Sequence, residues 1–160
     1  MFVFVLVCRS MVDLAFVIDG SGSIEHYGRG NFKRCLRFVQ RVVRQFKINS
    51  GRTRVGVVLY STRPRLMFRF SKYYRRKRQL LSAINRIPYP RGWTKTGWAM
   101  RYSYSTLFRY ARRGARKVNT LYNRPLARWR HFTATRILQG FAFLCKLGLL
   151  LFNPRWECQI

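Results

Sequence analysis

Leu14-Ala-Phe-Val-Ile18 is an unbroken apolar run, too short for a helix and with no polar alternation to mark a wet face. It predicts a strand over 13–18 buried on both sides, as in a parallel sheet. Beyond a Gly/Ser loop, Phe32, Cys35, Leu36, Val39, Val42, Val43 and Phe46 recur at helical spacing. Lys33, Arg34, Arg37, Arg41, Arg44 and Lys47 fall between them, so this segment predicts an amphipathic helix with a basic outer face. Asn49-Ser-Gly51 ends it, and Arg54-Val-Gly-Val-Val-Leu-Tyr-Ser61 returns as a second buried strand. Pro64 precedes Leu66-Met-Phe-Arg-Phe70, whose polar insertion suits a strand nearer the sheet edge. A helix with Leu80, Leu81, Ile84 and Ile87 inward stops at Pro88 and Pro90, and another runs from near Gly97 toward Phe108. This order of elements predicts an α/β layered domain around a mostly parallel sheet.

Composition adds an electrostatic constraint. The 160 residues are 48% hydrophobic, enough for one domain with a core, yet carry 33 Lys+Arg against 4 Asp+Glu, a net charge of +29. Most of the basic residues are arginines, whose planar fork suits phosphate, sulfate or carboxylate partners. Nucleic acid, sulfated polysaccharide and acidic membrane surfaces are all compatible with that charge.

The four cysteines, Cys8, Cys35, Cys145 and Cys158, show no metal-finger spacing. Cys8 and Cys158 are the first pair to test for a disulfide, and Cys35 reads as a buried thiol on the helix's apolar face. Met1 to Cys8 reads equally as a clipped signal peptide or an edge strand. Residues 137–152 are mostly apolar but shorter than the ~20 residues a bilayer span needs, and include Lys146.

One of the rare acids, Asp19, stands where the first strand delivers its chain into Gly20-Ser-Gly-Ser23. In open α/β sheets ligands bind beyond the carboxyl ends of strands. A carboxylate and two hydroxyls on a tight loop can converge on a hard divalent cation. On spacing alone, a solvated turn of ordinary turn residues fits as well.

More of the chain fits a known pattern. Val12 to Ile24 resembles the first strand and metal loop of von Willebrand factor type A domains. Asn31-Phe32, Arg54 to Ser61 and Gly92-Trp-Thr-Lys-Thr-Gly-Trp-Ala99 are similar to the same family, so that the likeness runs from residue 12 to about 118. It implies an α/β, Rossmann-like, doubly wound, mostly parallel sheet with helices on both faces, and a metal-ion-dependent adhesion site that takes Mg²⁺ or Mn²⁺. Position by position, Asp19, Ser21 and Ser23 match the first loop of that site and Thr94 the second, while Thr96 is expected to start a helix. The implied function is adhesion: the metal bridges to an acidic residue of a partner, and no bond is broken.

The likeness weakens after Val118. The family pattern continues with an apolar strand ending in Thr-Asp-Gly, whereas Asn119 to Phe132 is neither apolar nor acidic, and no acid lies between 26 and 156. The expected organisation is therefore a signal or edge segment at 1–11, an incomplete domain at 12–118, and a divergent basic and apolar tail at 119–160. The tail reads as the product of a shifted reading frame or retained intervening sequence, or as a genuine variant. Loss of strands four to six is expected to leave one edge of the central first strand unpaired.

Two function classes follow. One is an extracellular, secreted module that binds matrix proteins such as collagen-like ligands, without a small-molecule substrate. The other is a metal-independent binder of sulfated glycosaminoglycan or nucleic acid, using surfaces such as Arg75, Arg76, Lys77 and Arg78 beside Tyr73 and Tyr74. Catalysis is not expected, because His26 and His131 pair with no nucleophile or second ligand and Ser21 and Ser23 lack the Gly-x-Ser-x-Gly turn.

Overall fold

A computed structural model of the chain describes residues 11–26 and 28–122. The opening segment, the apolar stretch 137–152, Cys8, Cys145, Cys158, His131 and Glu157 lie outside the described residues, as does the tail after Tyr122.

Four strands form one sheet in the order β3-β2-β1-β4: β1 Val12–Asp19, β2 Thr53–Tyr60, β3 Arg65–Phe68 and β4 Arg116–Tyr122. β1 pairs in parallel with β2 on one edge and with β4 on the other, and β3 adds antiparallel to β2 at the rim. The helices are α1 Ser23–His26, α2 Asn31–Arg44, α3 Lys77–Asn85 and α4 Thr96–Tyr102. A single π turn, Ser103–Leu107, and a short 3₁₀ turn, Phe108–Tyr110, extend α4. Among the described residues no helix is long and apolar enough to cross a membrane.

The alternation of β1 sorts the core into two layers. Leu14, Phe16 and Ile18 pack with Phe32, Leu36, Val39 and Val43 of α2 and Leu80 and Ile84 of α3. Ala15 and Val17 face the other way, onto Ala99, Leu107 and Phe108 from α4 and its extension. Helices therefore cover both faces, the doubly wound arrangement expected. Gly56 makes the second layer close: a Cβ there would stand 2.7 Å from Leu107 Cδ1 and 3.1 Å from Phe70 Cε1.

Three expectations need correction. The boundary at 118 falls inside a strand, because β4 continues to Tyr122, and β1 consequently has no unpaired edge. The register runs from Val12 opposite Arg116 to Ile18 opposite Tyr122. Asn119 and Thr120 hid this strand by breaking the apolar run. Asn119 Nδ2 bonds Ser103 Oγ at 3.3 Å, while Asn119 Oδ1 and Thr120 Oγ1 are buried with no hydrogen-bond partner among the described residues. Parallel pairing to β1 offsets that local cost. The edge strand is also shorter than expected, ending at Phe68, although Phe70 is still fully buried.

Asp13 ties the sheet together at the amino-terminal end of β1. Its buried carboxylate accepts from Arg54 Nε at 3.0 Å and Nη2 at 2.8 Å, and from the Arg112 backbone N–H at 2.6 Å, Nε at 3.0 Å and Nη2 at 2.8 Å. Arg112 also donates to the carbonyls of Ser50, Arg52 and Val12. One acid thereby joins β1, the turn before β2, β2 itself and the approach to β4. Burial alone would raise the Asp13 carboxyl, but the hydrogen bonds from Arg54 and Arg112 outweigh it and hold it below its ordinary value.

Removing that charge strands two largely buried guanidinium groups. Asp13→Asn is expected to lower unfolding stability at pH 7 by about 3 kcal/mol in a urea titration. Because the folded carboxyl titrates below its unfolded value of about 3.9, its contribution is complete above that pH and is lost as pH falls through the depressed folded value. The variant should accordingly lose less stability than the parent on acidification across that window.

Candidate functional site

The site forms at the opposite, carboxyl end of β1, on the same face as Asp13. Asp19 closes the strand, 1% exposed, and its register partner across the sheet is Tyr60. The chain then turns sharply: Ser21 N–H donates back to Asp19 Oδ1 at 2.8 Å, and Gly20 N–H to Tyr60 O at 2.7 Å. This places Ser21 Oγ 3.0 Å from Ser23 Oγ, and Ser23 Oγ 3.5 Å from Thr94 Oγ1, a residue 71 positions away. All four expected site residues are therefore gathered in one place. They grade from interior to surface: Asp19 and Ser21 are buried, Ser23 and Thr94 exposed.

One backbone hydrogen bond joins the second loop to the first, and two more tie it to the residues that follow β2. Gly22 N–H donates to Gly92 O at 2.9 Å, Trp93 N–H to Thr62 Oγ1 at 3.1 Å and Lys95 N–H to Ser61 O at 3.3 Å. Gly92 has φ 92°, and a Cβ on it would lie 2.6 Å from Thr62 Oγ1, so both conformation and space require glycine there. Thr96 begins α4 as expected, yet its hydroxyl does not cap the helix; it lies 3.2 Å from Tyr60 Oη instead.

Three supporting residues escaped the sequence reading. Tyr89 Oη donates to the carbonyls of Ser21 at 2.9 Å and Gly22 at 3.3 Å, its ring stacked on Phe32 at 4.8 Å. Tyr60 turns its hydroxyl toward Asp19 from β2. Glu25 binds the Gly30 N–H at 2.6 Å and the Phe32 N–H at 2.9 Å, giving α2 the N-terminal acceptor that its Gly30 cap lacks. The position of Glu25 just before a helix was a readable signal. Tyr60 and Tyr89 act across long sequence separations, and no local pattern announces them.

Electrostatics isolate Asp19. Burial pushes its carboxyl up, an effect only partly offset by hydrogen bonds from Ser21 and from the Tyr60 hydroxyl. Asp13 and Glu25 are committed elsewhere, so Asp19 is the one acid the described residues bring to this loop. Burial likewise raises the Tyr60 hydroxyl, so it remains a proton donor at neutral pH.

The Arg75–Arg78 stretch behaves differently from expectation at one position. Arg75, Arg76 and Arg78 are exposed, with the Arg75 guanidinium 5.6 Å from the Tyr74 ring. Lys77, however, points inward and donates to the carbonyls of Arg44 at 2.6 Å and Phe46 at 2.9 Å, capping the end of α2. Desolvation, with Arg44 nearby, lowers its ammonium. Lys77 thus belongs to the fold rather than to the exposed basic surface.

Comparison with known proteins agrees with this arrangement. The sequence model of the von Willebrand factor type A domain matches residues 13–123. Mouse vitrin is 42% identical over 111 residues, covering 69% of this chain and 16% of vitrin. The collagen alpha-1(XII) chain of Notophthalmus viridescens is 35% identical over 116 residues, 71% of this chain and 12% of that protein. The chain thus spans less than a fifth of the length of these relatives. Among solved structures, proximal thread matrix protein 1 from the mussel byssus, described with a zinc-occupied MIDAS motif, superposes with a TM-score of 0.65 at 27% identity, covering 71% of this chain and 28% of that one. With the sheet order, the Asp19 loop and the sequence match in agreement, this chain belongs to the von Willebrand factor type A domain family.

Proposed function

We propose that the chain is an extracellular adhesion module that binds a matrix protein, such as a collagen-like ligand, through an acidic residue of that partner. Asp19, Ser21, Ser23 and Thr94 would hold a divalent cation at the contact. The observation that carries this reading is the convergence of hydroxyls from two loops, Ser21, Ser23 and Thr94, beside a buried carboxylate. Nothing in the folding of a solvated turn requires Thr94 to meet Ser23 across 71 residues.

The donor set suits Mg²⁺ or Mn²⁺ in kind, since one carboxylate and three hydroxyls are hard oxygen ligands. It is poor in charge, with one anionic group on a strongly basic chain. When bound, the ion supplies a positive centre shared by Asp19 and the partner's carboxylate. Asp19 provides the anion, the exposed hydroxyls of Ser23 and Thr94 border the open side, and Tyr89 fixes the loop carbonyls from behind.

A second reading has its own observation. Lys33, Arg34, Arg37, Arg41 and Arg44 are all exposed along α2, a continuous basic face that suits a sulfated glycosaminoglycan. Binding there would fall steeply with salt and ignore chelator.

Thermal unfolding with added Mg²⁺ or Mn²⁺ tests the first reading. At ten times the dissociation constant, the ion should stabilise the chain by about 1.4 kcal/mol. Asp19→Asn and Thr94→Ala should abolish the shift, and no shift in the parent would refute the metal-dependent contact. Tyr89→Phe removes one hydroxyl anchor and should cost about 1 kcal/mol of stability, with faster amide exchange at Gly22 and Ser23.

A further inference from the structure

Beside the hydroxyl cluster lies a cavity of about 420 Å³ between the β2–β3 connection and the Pro90–Gly92 loop. Arg63, Arg65 and Arg91 line it together with Ser61 and Thr62, and Leu59 and Pro90 give it an apolar wall. No carboxylate lines it. All three arginines are exposed, the Arg91 guanidinium 5.7 Å from the Tyr89 ring centroid, so three like charges border one cavity and favour a bound negative group. Arg91 is also the one non-glycine residue with positive φ among the described residues, at 58°, so the backbone carries strain to place it on this rim.

The cavity shares its wall with the proposed cation site. Gly92, which borders the cavity, accepts the hydrogen bond from Gly22 N–H in the first loop and stands two residues before Thr94. Trp93, between them, is 77% exposed. Exposed indole beside arginine and an apolar wall suits a protein partner, because a glutamate carries methylenes for Leu59 and Pro90 as well as a carboxylate for the arginines.

We propose that this cavity is a second anchoring pocket that takes the carboxylate of a glutamate in an acidic segment of the partner, next to the residue that meets the hydroxyl cluster. The inference rests on the adhesion reading above, but the pocket needs no metal to act. It gives the module a preference for partners with two acidic residues close in sequence over those with one.

Fluorescence anisotropy of a labelled hexaglutamate peptide with the full chain, in EDTA and in Mg²⁺, tests it. The triple variant Arg63→Gln, Arg65→Gln, Arg91→Gln should weaken binding by about tenfold or more in both buffers. The control Arg86→Gln, Arg109→Gln, Arg113→Gln removes the same charge from exposed positions outside both basic surfaces and should change binding less than about threefold. Equal losses in the two variants would overturn the pocket, leaving only general charge attraction. So would a heparin hexasaccharide whose binding depends on the pocket arginines more than the peptide's does. Arg63→Glu alone, a single exposed change, should reproduce the direction of the triple variant. The cation reading is judged separately: it stands if Mg²⁺ adds affinity that Thr94→Ala removes, and fails if Mg²⁺ adds none, while the EDTA series still decides the pocket.

Discussion

β1 is enclosed on every side: β2 and β4 hydrogen-bond its two edges, α2 and α3 pack on one face, and α4 with its π turn packs on the other. All eight of its residues are buried. Such a strand has no freedom to shift, because a one-residue slip would exchange Phe16 and Ile18 with Ala15 and Val17 between layers of different depth. That rigidity fixes both ends. Asp13 and Asp19 project from the same face, and the first meets two arginines while the second opens the loop that gathers Ser21, Ser23 and Thr94.

The scarcity of acids turns each of the three described ones into a structural decision. Asp13 pairs with Arg54 and Arg112 where four segments cross, and Glu25 serves the amides at the start of α2. Among the described acids Asp19 alone is left facing a cluster of hydroxyls, with its carboxyl raised by burial. In a chain of +29 the surface around it repels cations and attracts anions, so the proposed cation site would depend more on the negative group a partner brings than a site richer in carboxylates would. The arginine-lined cavity beside it, as the proposed glutamate pocket, would work in the same direction.

Much of this was readable along the chain, for physical reasons. Buried strands and amphipathic helices announce themselves by period, so β1, β2 and α2 were expected nearly residue for residue, and the Asp19 loop followed from the end of β1. β4 was missed because Asn119 and Thr120 contradict the apolar pattern that its position in the sheet requires. Pairing to β1 is a property of the sheet and overrides that local preference. Tyr60, Tyr89 and the inward turn of Lys77 were likewise hidden, since each acts on backbone or side chains more than thirty positions away.

The claim that a single-carboxylate loop completes its cation site with a partner's acid can be tested through the coupling it requires. Binding of ion and acidic ligand must be mutually reinforcing. Electron paramagnetic resonance of free Mn²⁺, titrated with the full chain in the presence and absence of hexaglutamate, measures that coupling directly. Apparent Mn²⁺ affinity should rise by about fivefold or more with the peptide, and the rise should vanish in Asp19→Asn. An Mn²⁺ affinity that is unchanged by peptide, or a rise that persists without the Asp19 carboxylate, would contradict it.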